Sequence, residues 1–294
     1  MNGVLVVDKP EGPTSHDVVA VARRALGERR IGHTGTLDPL ATGVLPLACG
    51  RATRLVRFLT ASEKEYDATI LFGLTTDTLD VTGTETTRSG VAPTRDAVVE
   101  ALSALTGEYL QTPPAYSAKK VGGRRAYALA RRDEPVELAP VLVRVPRIEL
   151  LEFGNDRCRI SLTCSAGFYV RALVRDIGAH CGTGACMEAL RRTRSGEFTL
   201  DEALPLAALA EEQDLMTSLI PMERLLPHFP AATVTTEGLV RVSRGQQVRA
   251  SDLAGAPPPP SAAWVRLLDA SGALIGLGTP DTAPGFLHPE VVLV

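Results

Sequence analysis

The sequence has little of several features that mark specialised classes of protein. Aromatic side chains make up 4% of its 294 residues, and Trp264 is the single tryptophan, so Leu, Val, Ile and Ala must form the core. No apolar run is long enough to cross a bilayer. The start of the chain lacks the basic region, long apolar stretch and cleavage site of a secretory signal. We therefore expect a cytoplasmic protein that does not use a membrane.

Cysteine pairs are also absent. The chain has five cysteines, an odd number, and none shows the CxxC spacing typical of structural zinc; they are Cys49, Cys158, Cys164, Cys181 and Cys186. Reduced and mostly buried thiols are the favoured interpretation, so we expect neither a disulfide framework nor a bound metal.

The net charge of −3 does not by itself indicate a nucleic-acid partner. The basic residues are nevertheless grouped. The stretch KKVGGRRAYALARR (119–132) contains no acid, and two smaller groups are Arg51, Arg54 and Arg57, spaced along one helical face, and Arg191, Arg192 and Arg194. Each group alone is more typical of a solvated surface than of a binding site, so the charge permits RNA binding without establishing it.

Hydrophobic periodicity predicts interspersed strands and helices. Strand-like composition occurs at 3–8, 64–72, 141–153 and 157–164, and helical patterns at 14–26, 51–59, 93–107, 168–182 and 184–196. The strands lack the regular rhythm of a parallel βαβ sheet. We therefore predict an α+β fold with a largely antiparallel or mixed central sheet flanked by helices.

The pattern changes after Pro221, Pro227 and Pro230. Short strand-like pieces follow at 239–245, 263–269, 274–278 and 290–294, separated by glycines and by the run of prolines at 257–260. Many short strands with Gly/Pro turns suggest a small β-barrel or sandwich. An extension of the main sheet is the alternative, but the proline-rich junction favours a separate unit.

The most informative segment is GHTGTLDPLATGVLP, residues 32–46. Pro39 restricts Asp38, the residue before it, to extended backbone conformations. The glycines, among them Gly35 and Gly43, would let the backbone approach another molecule closely. Asp-Pro and Thr-Gly pairs are common in turns, so chemistry alone favours a well-capped turn.

This segment resembles the signature G-H-T-G-x-L-D-P-x-A-T-G of the TruB family of pseudouridine synthases. Further matches follow in the family's order: KPEGPTS (9–15), KEYDA (64–68), TDTLD (76–80), PPAYSAKKVGGRRAYALAR (113–131), GFYVRAL (167–173) and GTGACMEALRRTRSG (182–196). The resemblance implies a pseudouridine-synthase fold, with a catalytic domain over 1–230 and a small PUA-like β domain over 231–294. It also implies isomerisation of uridine 55 in the T-loop of tRNA, by a monomer that needs neither cofactor nor guide RNA.

The resemblance further implies roles for three catalytic residues. Asp38 would be the nucleophile, although a carboxylate can instead assist deprotonation at the sugar. Tyr66 would stack on the target base and help in proton transfer; a half-buried strand tyrosine is the alternative. Arg171 would pair with Asp38 and keep it ionised, whereas without the family it would be a helix-surface arginine.

Five other matching residues would bind the substrate near Asp38. His33 would fill the gap left by a flipped-out base, with a role as general base the less favoured alternative. Lys9, Tyr169 and Leu190 match positions that shape the pocket, although Lys9 could equally be solvated and Leu190 part of the core. Thr36 offers a hydroxyl within the signature loop.

The basic stretch would close over RNA and neutralise phosphates through Lys119, Arg124 and Arg125. Two residues depart from the family pattern: Phe168 replaces a common threonine, and Ala166 an often polar residue. Residues 231–294 hold four arginines against five acids, so their charge does not favour RNA binding.

Three other functions fit part of the pattern. Guide-directed relatives of the same superfamily need partner proteins and usually carry longer basic extensions. A tRNA-folding factor would bind RNA with incidental catalysis. A glycoside hydrolase would need a second carboxylate, and the sequence offers no convincing partner for Asp38.

Overall fold

The computed structural model describes residues 1–117, 119–121, 124–126, 129, 132, 138–211, 215–281 and 285–294. The described helices are α1 (Ser15–Leu26), α2 (Val56–Thr60), α3 (Arg95–Ala104), α4 (Val170–His180), α5 (Ala208–Glu211) and α6 (Thr236–Ser243). Short 3-10 helices span Gly50–Leu55, Leu200–Glu202, Met222–Arg224 and Ala250–Asp252. The first ten strands are β1 (Gly3–Lys9), β2 (Ile31–His33), β3 (Thr42–Cys49), β4 (Lys64–Phe72), β5 (Leu74–Thr76), β6 (Glu85–Arg88), β7 (Gly107–Gln111), β8 (Lys120–Val121), β9 (Arg124–Arg125) and β10 (Val141–Val145). The others are β11 (Arg147–Phe153), β12 (Arg157–Cys164), β13 (Ala185–Ser195), β14 (Phe198–Thr199), β15 (Leu204–Pro205), β16 (Ile220–Pro221), β17 (Ala231–Thr233), β18 (Val265–Leu268), β19 (Leu274–Pro280) and β20 (Leu287–Val292).

A ten-stranded sheet forms the centre of the molecule. Its main path runs β11-β12-β4-β13-β3-β1-β15, with β14 beside β13, β16 beside β1 and β2 beside β3. β13 runs parallel to β3, and β1 runs parallel to β15, while the other pairs in this sheet are antiparallel. The predicted α+β fold with a mixed central sheet is confirmed.

Both faces of the central strands are covered. Leu5 and Val7 of β1 lie on a first face, whose core includes side chains of α1, α3 and α4. Val4 and Val6 lie on a second face, in a core shared with the C-terminal strands. Burial on both sides explains why β1 and β3 read as continuous apolar runs instead of alternating ones.

The segment 184–196 is a strand, β13, and the helix predicted there is wrong. β13 pairs with β4 along its whole length and with β3 near Arg191, and two bulges adjust its register. Residues such as Met187 and Leu190 have only a small preference for helices. Strand pairing and burial outweigh a helix propensity of that magnitude. The long-range partners, absent from the local pattern, decide the conformation.

The C-terminal residues form a four-stranded sheet, β17-β18-β19-β20, with α6 packed against it. A small core of its own contains Val242 and Leu267. The strand predicted at 239–245 is wrong, since this segment lies in α6, whose N-cap Thr235 accepts a hydrogen bond from the Gly238 amide. The apolar residues of the run LVRV fit both the period of a strand and that of a helix. The N-cap and the burial of Val242 together favour the helix.

Candidate active site

The loop that carries Asp38 is anchored from α1 and β1. The Ser15 hydroxyl accepts from the Leu37 amide at 2.9 Å and lies 3.0 Å from its carbonyl, and the Leu37 side chain is buried. The Lys9 ammonium donates to the carbonyls of Pro10, Pro39 and Ala41 at 2.9, 3.2 and 2.7 Å. Lys9 is 0% exposed, so the solvated alternative for it is wrong.

Burial lowers the pKa of Lys9 to about 8, although the negative charge of Asp38 opposes this shift. Lys9 thus stays mostly protonated at neutral pH, with its charge beneath the loop. Two of its carbonyl acceptors, Pro39 and Ala41, follow Asp38 in the loop, and the third, Pro10, follows β1, so Lys9 ties the loop to the end of β1.

The other side of the loop contacts β13. The Arg192 guanidinium donates from Nε to the Val44 carbonyl at 2.7 Å and from Nη2 to the Gly35 carbonyl at 3.1 Å. Gly43 has φ +99°, and a Cβ there would lie 2.2 Å from the Arg192 carbonyl oxygen. This glycine is therefore required for close packing against the protein's own strand, which corrects the expectation that it serves approach to another molecule.

Arg171, in the first turn of α4, reaches the Asp38 carboxylate. Its Nε lies 2.9 Å from Asp38 Oδ2, and the side chains are 8% and 35% exposed, respectively. Its Nη1 donates to the Thr78 carbonyl at 2.8 Å and its Nη2 to the Tyr116 carbonyl at 2.9 Å. The guanidinium is therefore held in one orientation, with Nε aimed at Asp38.

A second carboxylate, Asp80, lies 3.7 Å from Arg171 Nη1. It is buried, and it accepts hydrogen bonds from the hydroxyls of Thr78 and Thr82 at 2.8 and 2.6 Å. Leu79 adopts φ +66°, a left-handed conformation uncommon for a non-glycine residue. This tight turn places both the Thr78 carbonyl and the Asp80 carboxylate beside Arg171.

Tyr66 of β4 lies on the first face and is buried. Across the sheet it faces Arg192 of β13 and Leu162 of β12. Burial raises the pKa of the Tyr66 phenol, the positive charge of Arg192 opposes this shift, and the negative charge of Asp38 adds to it. Leu190, also on β13, is buried in the same core, which includes Leu37, the residue before Asp38. We call Tyr66 and Leu190 the floor of the site.

His33 and Tyr169 flank this floor. His33 stacks edge-on against His16 with ring centroids 5.5 Å apart, and burial with the nearby His16 and Arg192 lowers its pKa, so the imidazole is neutral at pH 7. Tyr169 is held at its backbone by the buried Gln111 amide, at 3.0 and 3.1 Å. Thr36 is exposed at the tip of the loop.

The basic groups have different positions. Arg51 and Arg54 donate to the carbonyls of Leu293 and Val292, so these arginines attach the C-terminal strand. Arg57 lies over Phe58 and Trp264, 4.7 and 5.3 Å from the ring centroids.

In the basic stretch, the segments Lys120–Val121 and Arg124–Arg125 form a two-stranded ribbon. Lys119 is half-buried, and the Arg124 side chain is exposed. The Arg125 side chain and Arg131 lie outside the described part of the chain. The ribbon's contact with RNA stays a prediction.

Sequence reasoning missed Arg192 and Asp80 as parts of this site. Asp80 lies within the matched TDTLD segment, which was the available signal. Arg192 was grouped with Arg191 and Arg194 as surface, but Arg192 is 1% exposed. If 184–196 is a strand, alternate side chains point to opposite faces, and this alternation would have separated Arg192 from Arg191.

All five cysteines are free. Among the residues described, no three His, Cys, Asp or Glu side chains are arranged to hold a metal ion. Within that same part of the chain, none of the helices has the length and apolar character to span a membrane.

Two family models match the chain. The "TruB family pseudouridylate synthase (N terminal domain)" covers residues 23–170, and the "tRNA pseudouridylate synthase B C-terminal domain" covers 171–227. A tRNA pseudouridine synthase B from Solibacter usitatus (strain Ellin6076) is 42% identical over 297 residues, which is 100% of each chain. One from Mycobacterium sp. (strain KMS) is 49% identical over 240 residues, 79% of this chain and 80% of the relative. The chain belongs to the TruB family of pseudouridylate synthases, as its motifs predict.

Solved structures of similar fold support this assignment. The "Crystal Structure of a Cbf5-Nop10-Gar1 Complex" matches with a TM-score of 0.76 and 28% identity, covering 99% of this chain and 85% of that chain. The "Structure of H/ACA RNP bound to a substrate RNA containing 2'-deoxyuridine" matches with a TM-score of 0.75 and 26% identity, with the same coverage. The likeness extends over the C-terminal β-rich part.

Proposed function

We propose that this protein converts uridine to pseudouridine at position 55 in the T-loop of tRNA, with Asp38 as the nucleophile. The observation that carries the proposal is the arrangement around Asp38. Its carboxylate is half-exposed and paired with the buried Arg171 at 2.9 Å, above a floor that contains Tyr66. Membership of the TruB family and the names of the curated relatives supply the reaction class.

The reaction breaks the bond from N1 to C1′, turns the base over and joins C5 to C1′. A proton leaves C5 and N1 gains one, so electrons balance without a redox partner or group carrier. The base must leave its stack for Asp38 to reach the sugar. Because the Arg171 contact uses Oδ2, we place Oδ1 against C1′, with the base over Tyr66 and His33 in the space it vacates.

The second carboxylate at the site does not favour glycoside hydrolysis. Asp80 is 4% exposed and bound by two threonine hydroxyls, with Arg171 between it and Asp38. An acid that protonates a leaving group must contact the substrate, and Asp80 is turned away from it. Asp80 instead holds the Arg171 guanidinium in its orientation.

We extend the proposal to the molecule as a whole. The names of the curated relatives give tRNA as the substrate, which favours an enzyme that acts without a guide RNA. It acts as a cytoplasmic monomer. Residues 1–230 are the catalytic domain, and 231–294 are a PUA-like domain. The basic ribbon that contains Arg124 and Arg125, with the adjacent Lys119, closes over the T-arm.

The test is to incubate the protein with an unmodified T-arm transcript and map pseudouridine chemically. We expect one modified position with wild type and none with Asp38→Asn, which keeps tRNA binding. Asp201→Asn, an exposed carboxylate, is the matched control and retains full activity. Product only after addition of guide RNA and partner proteins would contradict stand-alone action. Free uracil would indicate hydrolysis, and faster tRNA refolding without any modification would indicate a folding factor.

A further inference from the structure

Arg192 differs from the arginines beside it on β13. The side chains of Arg191 and Arg194 are 41% and 30% exposed and pair with Asp8 and Glu65 at 2.8 and 2.7 Å. Arg192 is 1% exposed, and within the described residues no carboxylate lies at ion-pair distance from it. Its donors reach the carbonyls of Gly35, Thr36 and Val44 instead. Burying a cation without a carboxylate partner costs free energy, so a role as solvated surface charge does not explain Arg192.

The position of Arg192 links the loop to the catalytic floor. It is the cross-strand neighbour of Tyr66 on β4 and of Gly43 on β3. Its guanidinium donates to the loop carbonyls before Asp38, and its positive charge opposes the rise in the pKa of the Tyr66 phenol that burial causes. One planar group therefore lies between the loop and Tyr66, which suits the divergent donors of arginine and not the single ammonium of lysine.

The titratable groups near Arg192 lie on several elements packed around it. They are Lys9 on β1, His33 on β2, Asp38 in the loop, Lys64 and Tyr66 on β4 and Cys164 on β12. Burial lowers the pKa values of Lys9 and Lys64 to about 8, and Arg192 contributes to both shifts. As pH rises above 8 these lysines lose their charge.

We infer that Arg192 is a positioning residue for the isomerisation: it fixes the Asp38 loop relative to Tyr66 and stabilises negative charge on the Tyr66 oxygen during proton transfer. In that step the phenolate of Tyr66 takes the proton from C5 and becomes the phenol. N1 receives a proton from water, and the hydroxide that remains takes the phenol proton, which restores the water and the phenolate. The inference rests on the proposed function, because it assigns a role within that same reaction.

The experiment measures single-turnover rates and tRNA affinity from pH 6.5 to 9 for wild type, Arg192→Gln and Arg192→Lys. We expect Arg192→Gln to lower the rate at pH 7 about 10- to 100-fold, the value of one or two charged hydrogen bonds, with tRNA affinity within about twofold of wild type. The ratio of wild-type to variant rate should shrink as pH rises, because the guanidinium favours the phenolate most where phenolate is scarce. Arg192→Lys should recover part of the rate at pH 7 and lose that recovery above pH 8.

Arg194→Gln is the matched control, since it removes a half-exposed arginine from the same strand, and it should keep the wild-type rate. Tyr66→Phe removes the phenol and leaves the loop contacts, so it tests the role of the phenol even where Arg192 variants fold poorly. Because phenolate becomes more abundant as pH increases, the rate should rise with pH where Tyr66 is present. We expect this alkaline rise in rate to disappear in Tyr66→Phe.

A rate deficit of Arg192→Gln that is the same at every pH, or an alkaline rise that persists in Tyr66→Phe, would overturn the inference. So would a wild-type rate in Arg192→Gln. A wild-type protein that forms no pseudouridine in the T-arm would instead contradict the proposed function, so the two failures are distinct.

Discussion

Two parts of the molecule are held by the same kind of contact in opposite environments. At the catalytic loop, Lys9 and Arg192 donate to backbone carbonyls while being 0% and 1% exposed. At the junction with the C-terminal unit, the exposed residues Arg51 and Arg54 also donate to carbonyls, those of Leu293 and Val292. The chemistry of the bond is shared, but the donor side chains are buried at the loop and exposed at the junction.

The difference teaches what each set of contacts is for. A buried carbonyl that loses its donor has no water to replace it and costs the full desolvation penalty. An exposed carbonyl finds water at little cost. The loop contacts therefore set the geometry of the reacting groups, while the junction depends on its apolar core.

The largest expected effect comes from removing residues 231–294. The second-face core loses Leu277, Val291 and Leu293, which uncovers Val4 and Val6 of the central sheet. Each large side chain is worth about 1.5–3 kcal/mol of burial, so the sum approaches the whole stability of a domain, about 5–15 kcal/mol. We expect the truncated chain to lack a cooperative unfolding transition by calorimetry. A truncated protein with the same melting transition as the full chain would show that the second-face core does not stabilise the central sheet.

The next effect is that of Lys9→Met, which fills the same space without a donor. It leaves the buried carbonyl of Ala41 and the partly buried carbonyls of Pro10 and Pro39 without their donor. We expect the free energy of unfolding to fall by about 2–4 kcal/mol and the turnover of tRNA to fall with it, measured by urea unfolding and single-turnover assay. Arg24→Met, on the exposed side of α1, should change stability by less than about 0.5 kcal/mol. Equal effects of the two variants would argue against the loop contacts.

Burial should also make the free energy of unfolding depend on pH. Burial raises the pKa of the Cys158 thiol to about 12, from its ordinary value of 9.0. The unfolded thiol ionises first, so its contribution is complete below pH 9 and is lost as pH rises toward 12. Between pH 7 and 10, wild type should lose about 1.4 kcal/mol relative to Cys158→Ala, measured by urea unfolding at both pH values. The half-buried Cys181, replaced in the same way, should show a smaller difference, and a larger one would contradict this account.

The smallest effect belongs to the exposed side of the comparison. Arg51→Ala and Arg54→Ala should each lower the free energy of unfolding by less than about 1 kcal/mol, as exposed charged contacts usually do. Pseudouridine formation should be unchanged. If either variant costs as much as Lys9→Met in urea unfolding, the contrast between buried and exposed carbonyl contacts is wrong.

The sequence by itself determined the family, the α+β class and the loop that carries Asp38. These follow from local patterns: the signature at 32–46, the helical pattern at 14–26 that forms α1, and the apolar run at 3–8 that forms β1. A contiguous motif and a local period are complete within one stretch of chain, so no other part of the molecule is needed to read them.

Only the tertiary structure decided which arginine of β13 is buried, what holds Asp38 and how the C-terminal unit is attached. Side chains alternate across a strand, so a register set by β4 and β3 places Arg192 inside and Arg191 at the surface. The same strand is built from residues that locally favour a helix. Pairing partners more than a hundred residues away supply the deciding energy, and no local pattern contains them.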